Sequence, residues 1–452
     1  MSNNDAIELA VTLAGVKMRS PIGVGSIGTP LVNFRYLTPE RHAEVLLGHV
    51  EAGAGYICLP TITCVPDELL ADLETKAKPF NYSRGMPYPR FMRIETEGYG
   101  VEGLYFALSP GIAPTGSARA FRITRKMIDI LKHKKPPDVP IIASVAGLGA
   151  FPETLVAGAK ALEEAGVDLI ELNLSCGLST ALEGALECYF EGSFPLYFAG
   201  SLVGDQPHLA ERITGAVAEA VNKPVGVKLS PETGYPRIVE LARRVRDAGA
   251  KFVNCGNGAV TIAPPDIYDH GKPKWPFMDG NPFVAGSGTW LRMIVYKQVA
   301  AIAKFVPGID VIATGGLTAP QHAIEAMMLG AKATQRVTAL LYDGRRSIRK
   351  DIQFLTRYVK EQGYQSVNDF TGLGLEYVRP INNIDFMPGK AVAEVDPLAC
   401  TGCMQCTDHV CLAMSADHGV AKVKIDECLG CGMCVALCPE GAVTLRERGG
   451  LK

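Results

Sequence analysis

The sequence predicts a (β/α)8 barrel followed by a separate cysteine-rich module, and two patterns carry that reading. From Pro21 to about Tyr358, short apolar β-rich runs alternate with amphipathic helical stretches, which is the pattern of parallel βα units. Of the 13 cysteines, eight fall between Cys400 and Cys438. The chain, at 452 residues, exceeds the roughly 250 of a minimal barrel, so it has room for both parts. An open, doubly wound sheet is the other architecture that the same alternation allows.

Eight candidate strands occupy residues 22–26, 56–60, 140–145, 167–172, 224–229, 251–255, 310–314 and 333–337. Several follow a helix exit that ends in glycine, as in Glu164-Ala-Gly-Val-Asp168 and Asp247-Ala-Gly-Ala-Lys251, where glycine supplies the left-handed cap. Two connections are too long for a minimal barrel. One runs over residues 61–139 and is rich in proline and aromatics; the other, over 176–205, holds Cys188, Tyr189, Phe190, Tyr197 and Ser201. Barrel chemistry sits in the loops at the strand C-termini, so these long loops are candidate substrate walls or local plugs of loop core. The domain reading is a barrel over 1–371, a Gly-, Asn- and Pro-rich linker over 372–390 and the cysteine module over 391–452.

Charge and hydropathy narrow the function classes. With 45 Lys and Arg against 47 Asp and Glu, there is no net basic surface to drive phosphate-backbone binding, so a nucleic-acid partner is not expected. No apolar run approaches the roughly 18 residues of a membrane span. The polar, acidic start lacks the apolar core of an export signal, so the expected compartment is the reducing cytoplasm. Clustered cysteines there read as metal ligands rather than disulfides.

The module is an internal repeat in which a short alternating strand and an Asp precede a cysteine run. Val392-Ala-Glu-Val-Asp396 leads to Cys400, Cys403, Cys406 and Cys411, and Val420-Ala-Lys-Val-Lys-Ile-Asp426 leads to Cys428, Cys431, Cys434 and Cys438-Pro439. The second run is the Cys-x2-Cys-x2-Cys-x3-Cys-Pro of two-cluster bacterial-type ferredoxins, in which the fourth cysteine ligates the other cluster. Two 4Fe-4S clusters are therefore expected, one on Cys400, Cys403, Cys406 and Cys438, the other on Cys428, Cys431, Cys434 and Cys411. The first run departs slightly, with four residues before Cys411 and Leu412 in place of proline. Paired four-cysteine zinc sites are the alternative, but they use two widely separated Cys-x2-Cys pairs.

Two clusters in series form a one-electron wire, and a flavin is the group that couples single electrons to two-electron organic chemistry. The barrel offers a matching site. Gly315-Gly316 follows strand seven, Thr338-Ala339 follows strand eight, and backbone N–H groups in those two loops are the usual barrel phosphate cradle. Gly286-Ser287-Gly288 reads as a further close-approach turn. Asn173, Lys228 and Asn257 end strands four, five and six. A lysine ending a buried strand is costly unless it meets an anion, and the amides can hydrogen-bond a ring edge or satisfy loop backbone.

The order Ser20-Pro-Ile-Gly23, Glu171-Leu-Asn-Leu-Ser-Cys176, Val227-Lys-Leu-Ser-Pro231, Asn257, Gly286-Ser-Gly288, Ala313-Thr-Gly-Gly316 and a ferredoxin tail resembles the dihydroorotate dehydrogenase superfamily. Within it, the chain is most similar to the FMN and iron–sulfur, pyrimidine-reducing subunit of dihydropyrimidine dehydrogenases. The resemblance implies a TIM barrel holding FMN at Gly25, Ser26, Asn173, Lys228, Asn257, Gly286, Ser287, Gly288, Gly315, Gly316, Thr338 and Ala339. It also implies a separate FAD- and NAD(P)-binding partner or a ferredoxin as electron donor, since no Gly-x-Gly-x-x-Gly follows a strand here, and a homodimer or hetero-oligomer. Three departures lie on the substrate side: Pro60 stands at the family's lysine position, Gly177 follows Cys176 where the family has proline, and Val203 occupies the position of the proton-donating cysteine.

The expected activity is reduction or oxidation of a carbon–carbon double bond beside a carbonyl in a small cyclic substrate. It needs an acid near neutral pH. Cys188 is the first candidate, Ser201 and Tyr197 follow, and Lys228 completes the catalytic set. An electron-transfer subunit and a dihydroorotate dehydrogenase are the alternative readings.

Overall fold

The computed structural model describes residues 7–26, 38–64, 90–95, 102–107, 117–147, 149, 151–175, 201–262, 264–273, 283–379, 390–407 and 411–449. The chain divides into two compact units, Met1–Val378 and Arg379–Lys452. In the first, eight strands alternate with eight helices: β1 Ile22–Val24, α1 Pro39–Glu51, β2 Tyr56–Cys58, α2 Ser117–Lys134, β3 Ile141–Gly147, α3 Pro152–Ala165, β4 Leu169–Asn173, α4 Pro207–Ala220, β5 Val225–Leu229, α5 Arg237–Asp247, β6 Phe252–Cys255, α6 Arg292–Phe305, β7 Asp310–Thr314, α7 Gln321–Met328, β8 Ala333–Arg336 and α8 Arg345–Glu361. Neighbours pair in the order β2-β1-β8-β7-β6-β5-β4-β3. A further parallel ladder, Ile57 to Ile141 and Cys58 to Ile142, joins β2 to β3. That ladder closes the sheet into a (β/α)8 barrel and excludes the open doubly wound alternative.

Each expected strand is present within two residues of its expected ends. Strand β2 stops at Cys58, with the Leu59 amide still donating to Ile142 O, and pairing with β3 resumes beyond Pro60 at Ile62–Cys64. The strands are buried throughout, β3, β4, β5 and β6 on every residue, as a sheet covered on both faces requires. Helix α5 shows how the outer ring is held: Ile238, Leu241, Ala242 and Val245 are buried on one face, the apolar stripe of an amphipathic helix. Helix α3 exits through Gly166 at φ +87°, the left-handed cap that the sequence motif requires.

The two ends of the barrel are closed differently. At the N-terminal end, the hairpin Val11–Leu13 with Val16–Met18 is tied down by the Ala14 amide, which donates to Asp310 Oδ2 at 2.7 Å. The segments after β2 and β6 build a four-stranded antiparallel sheet in the order Ala259–Ile262, Phe283–Gly288, Glu102–Ala107, Arg90–Glu95. The segment read as a loop over 61–139 thus contains strands as well as α2. Gly286-Ser287-Gly288 is likewise strand rather than turn. The reason is close packing across the ladder, since a Cβ at Gly286 would lie 2.8 Å from the Thr261 side chain and 2.9 Å from Trp290.

The barrel unit also takes in the start of the expected linker. Leu373–Tyr377 is a 3-10 helix, and Lys304 Nζ donates to Leu375 O at 3.0 Å while the Gly372 amide donates to Met327 O. In the second unit, Ala391–Val395 pairs antiparallel with Val443–Glu447, and Met414–Asp417 with Val420–Val423. A short helix, Met433–Leu437, lies within the second cysteine run, carrying Cys434 and ending at Cys438. Val392, Ala393, Ala413, Met414, Ala421 and Val443 form its small core together with the Cys428 and Cys434 side chains. Among the described residues no helix is long and apolar enough to cross a membrane.

Candidate active site

Strand ends set the mouth of the barrel. A cleft there is lined by Ser26 after β1, Lys228 in β5, Asn257 after β6, Ser287, Gly315 and Gly316 after β7, and Thr338 after β8. These are seven of the residues singled out in the sequence. Gly315 and Gly316 both have positive φ, and a Cβ on Gly316 would lie 2.3 Å from the Arg292 backbone nitrogen. Only glycine fits that approach. Ser287 Oγ and Thr338 Oγ1 are 3.1 Å apart, so the end of the accessory sheet is joined to the loop after β8. Gly25 lies one residue before Ser26, its amide bonded to Arg336 O, and Ala339 is buried behind Thr338.

A hydroxyl and amide array covers the β1 to β6 side. Thr61 Oγ1 lies 3.2 Å from Ser26 Oγ and 2.9 Å from Ser144 Oγ, and accepts from Asn173 Nδ2 at 3.0 Å. Asn257 Nδ2 donates to Ser175 Oγ at 2.9 Å and to Asn173 Oδ1 at 3.3 Å. Thr61 therefore occupies the centre of a neutral array, one residue after Pro60. Lys228 is the exception in charge. It is 3% exposed, and among the described residues it has no hydrogen-bond or ion-pair partner, an arrangement that is costly unless a bound group supplies electron density.

Below the mouth lies a polar layer that the sequence reading did not single out. Glu171 on β4 is fully buried; it accepts from Asn254 Nδ2 at 2.6 Å and faces the Cys58 thiol. Asn254 Nδ2 also donates to Gln335 Oε1 at 3.0 Å, and Thr314 Oγ1 lies 2.6 Å from Asn254 Oδ1 and 2.8 Å from Gln335 Oε1. Cys58, Glu171, Asn254 and Gln335 come from β2, β4, β6 and β8, the alternate-strand layer of a packed barrel interior. Burial and then the Glu171 charge push the Cys58 thiol well up, so it is an inert hydrogen-bond donor. The signal that could have found this layer is the two-residue step from Glu171 to Asn173, which puts both on the inward face.

The cysteine runs sort into two sets. Burial raises the Cys406 thiol, and Cys438, Cys400 and Cys403 raise it further. Burial likewise raises Cys434, with Cys411 and Cys428 adding to it. Each set thus contains the fourth cysteine of the other run. All eight are free thiols, and backbone amides point at sulfur: Ala393 and Gly430 at Cys428 Sγ, both 3.4 Å, and Ala442 at Cys438 Sγ, 3.2 Å. Among the described residues no three His, Cys, Asp or Glu side chains converge to hold a single ion.

Of the acid candidates, Cys188 and Tyr197 lie outside the described residues, as does the side chain of Ser201. Ser201 begins the short helix Ser201–Gly204. Val203 in that helix is 1% exposed, a hydrocarbon that donates no proton.

A dihydroorotate dehydrogenase model matches residues 193–358, and a dihydrouridine synthase model matches residues 121–255. The catalytic subunit of dihydroorotate dehydrogenase B (NAD(+)) from Methanothermobacter thermautotrophicus is 30% identical over 296 residues, covering 66% of this chain and 84% of the relative. The chain belongs to the dihydroorotate dehydrogenase family. As a member it is an oxidoreductase acting on CH–CH bonds. Two other relatives bracket it within the family. A putative dihydroorotate dehydrogenase A (fumarate) from Aeropyrum pernix is 28% identical over 369 residues, 81% of this chain and 97% of the relative. The NAD-dependent dihydropyrimidine dehydrogenase subunit PreA of Escherichia coli K12 is 25% identical over 308 residues, 68% of this chain and 63% of the relative.

Proposed function

We propose that the chain is the catalytic subunit of an FMN- and iron–sulfur-dependent oxidoreductase that reduces, or in reverse oxidises, the carbon–carbon double bond beside a carbonyl in a cyclic pyrimidine. The observation that carries it is the barrel mouth: a buried cation, Lys228, without a hydrogen-bond or ion-pair partner among the described residues, lines one cleft with Gly315, Gly316 and Thr338 and with Ser26 and Asn257 of a neutral amide and hydroxyl array. That combination fits FMN. Gly315, Gly316, Thr338 and Ala339 would take the phosphate, Asn173, Asn257 and Lys228 the ring, with Gly25 and Ser26 beside them. FMN supplies hydride transfer to carbon. Lys228 places positive charge where electron density gathers, and the Thr61–Asn173–Asn257 array holds donors and acceptors in fixed orientation, which removes the reorganisation cost at the moment of reaction.

The cysteine unit fits two 4Fe-4S clusters, which supply single electrons. Two thiol sets that each borrow one member from the other run favour this reading, as do amide-to-sulfur hydrogen bonds of the kind that tune cluster potentials. A cubane takes its thiolates at four separate corners, unlike the single point of a zinc site. Electrons would enter from a flavin- and NAD(P)-binding partner or a ferredoxin, consistent with relatives named as subunits.

The test is anaerobic purification, quantification of FMN, iron and sulfide, and reoxidation of the photoreduced protein by uracil, thymine, orotate and cyclic enones. One FMN and about eight irons per chain, with rapid reoxidation by a pyrimidine, is the expected result. Response to uracil or thymine selects dihydropyrimidine chemistry, and response to orotate selects dihydroorotate chemistry. A flavin-free protein overturns the assignment.

A further inference from the structure

We infer that the buried Arg336–Asp351 pair is a positioning device for the phosphate end of the barrel mouth; the inference rests on reading that mouth as an FMN site. Arg336 is the largest fully buried side chain among the described residues, 1% exposed. It leaves β8 on the face opposite Gln335, away from the barrel axis. Its Nε and Nη2 donate to the two carboxylate oxygens of Asp351, on α8, at 2.6 and 2.9 Å. The rest of the guanidinium reaches the loop after β7, where Nη1 donates to Leu317 O and Nη2 to Ala319 O at 3.1 Å.

One planar fork therefore joins a strand, a helix and the glycine loop. The loop's amides are taken from the other side: His322 Nδ1 accepts from the Thr318 and Ala319 N–H groups, both at 3.1 Å. Burial, with Arg292 beside it, pushes His322 down to about 4, so the ring is neutral at neutral pH and one of its nitrogens is an acceptor. With the Leu317 and Ala319 carbonyls and the Thr318 and Ala319 amides so occupied, the loop is fixed with Gly315, Gly316 and Leu317 lining the cleft. Arg336 also lies two residues before Thr338 in the chain. Its backbone thus sets the loop after β8 while its side chain grips the loop after β7, and a phosphate held by both loops needs that mutual register.

Stability alone does not explain such a pair. Replacing a buried ion pair with apolar residues of similar volume is commonly neutral or stabilising, whereas removing one partner is costly. A positioning role gives a different signature, because it acts on the phosphate and leaves the flavin ring alone.

The experiment compares FMN and riboflavin binding to the flavin-stripped full-length protein by fluorescence titration. The Arg336→Met/Asp351→Leu double variant leaves no orphan charge; it is expected to lose about tenfold or more in FMN affinity while riboflavin affinity is unchanged. Asp351→Asn, which loosens the fork without removing it, is expected to show a smaller loss confined to FMN, and decides the matter if the double variant does not fold. Equal weakening of both flavins, or no change in either, overturns the inference. Wild-type protein that binds neither flavin overturns the FMN reading itself.

Discussion

Lys228 and Gly316 carry the clearest consequences of single side chains. Because Lys228 is a buried cation without a partner among the described residues, Lys228→Met is expected to lower turnover about 100-fold, the scale of losing one preorganised electrostatic contact, without lowering the thermal midpoint. A fall in stability with retained turnover would show that the ammonium serves the barrel instead. Gly316→Ala sets a Cβ 2.3 Å from the Arg292 nitrogen at φ +74°. It is expected to cost about 1–3 kcal/mol and to release flavin, measured as FMN retained per folded chain. Both positions were readable in advance, one as a lysine ending a β run and the other as a glycine pair after one. Of Glu171, Asn254, Thr314 and Gln335, only Glu171 carries a local sign, its two-residue step from Asn173; the contacts that join the four form only across the barrel.

At the scale of elements, the two cysteine runs are interdependent. The Cys406 thiol is acted on by Cys438, Cys400 and Cys403, and the Cys434 thiol by Cys411 and Cys428, the proximity that the proposed cluster pairing requires. Cys438→Ala is therefore expected to damage the cluster of the first run, and Cys411→Ala that of the second, each lowering the iron count from about eight toward about four. Electron paramagnetic resonance of the reduced variants would resolve which signal survives, and loss of the signal from the mutated run's own triplet would reverse the pairing. The break in β2 shows the opposite direction of inference. The apolar run 56–60 reads as one continuous strand, yet the strand ends at Cys58, a second begins at Ile62, and Thr61 between them reaches the mouth.

For the whole molecule, acid sensitivity follows from buried histidines, His49 among them, lowered by burial and by Arg345. Burial pushes His42 down to about 4, and burial with Arg292 does the same to His322. Their unfolded value is about 6.5, so the unfolded chain takes up protons first as pH falls. The stability of the neutral, buried forms is complete above about pH 6.5 and is lost between there and about 4, by up to about 3 kcal/mol per histidine. The thermal midpoint is expected to fall between pH 7 and pH 4.5, and to fall less in His42→Leu; an equal fall in that variant would remove His42 from the account. Local and periodic features were legible from residue order alone: eight strands, the glycine exits, the cysteine runs and the motif order, each dependent on neighbours a few residues apart. Closure through Ile57 and Ile141, the polar layer around Glu171, and the grip of Arg336 on Leu317, Ala319 and Asp351 came only with the fold. These join residues that are distant in the chain, so local spacing holds no record of them.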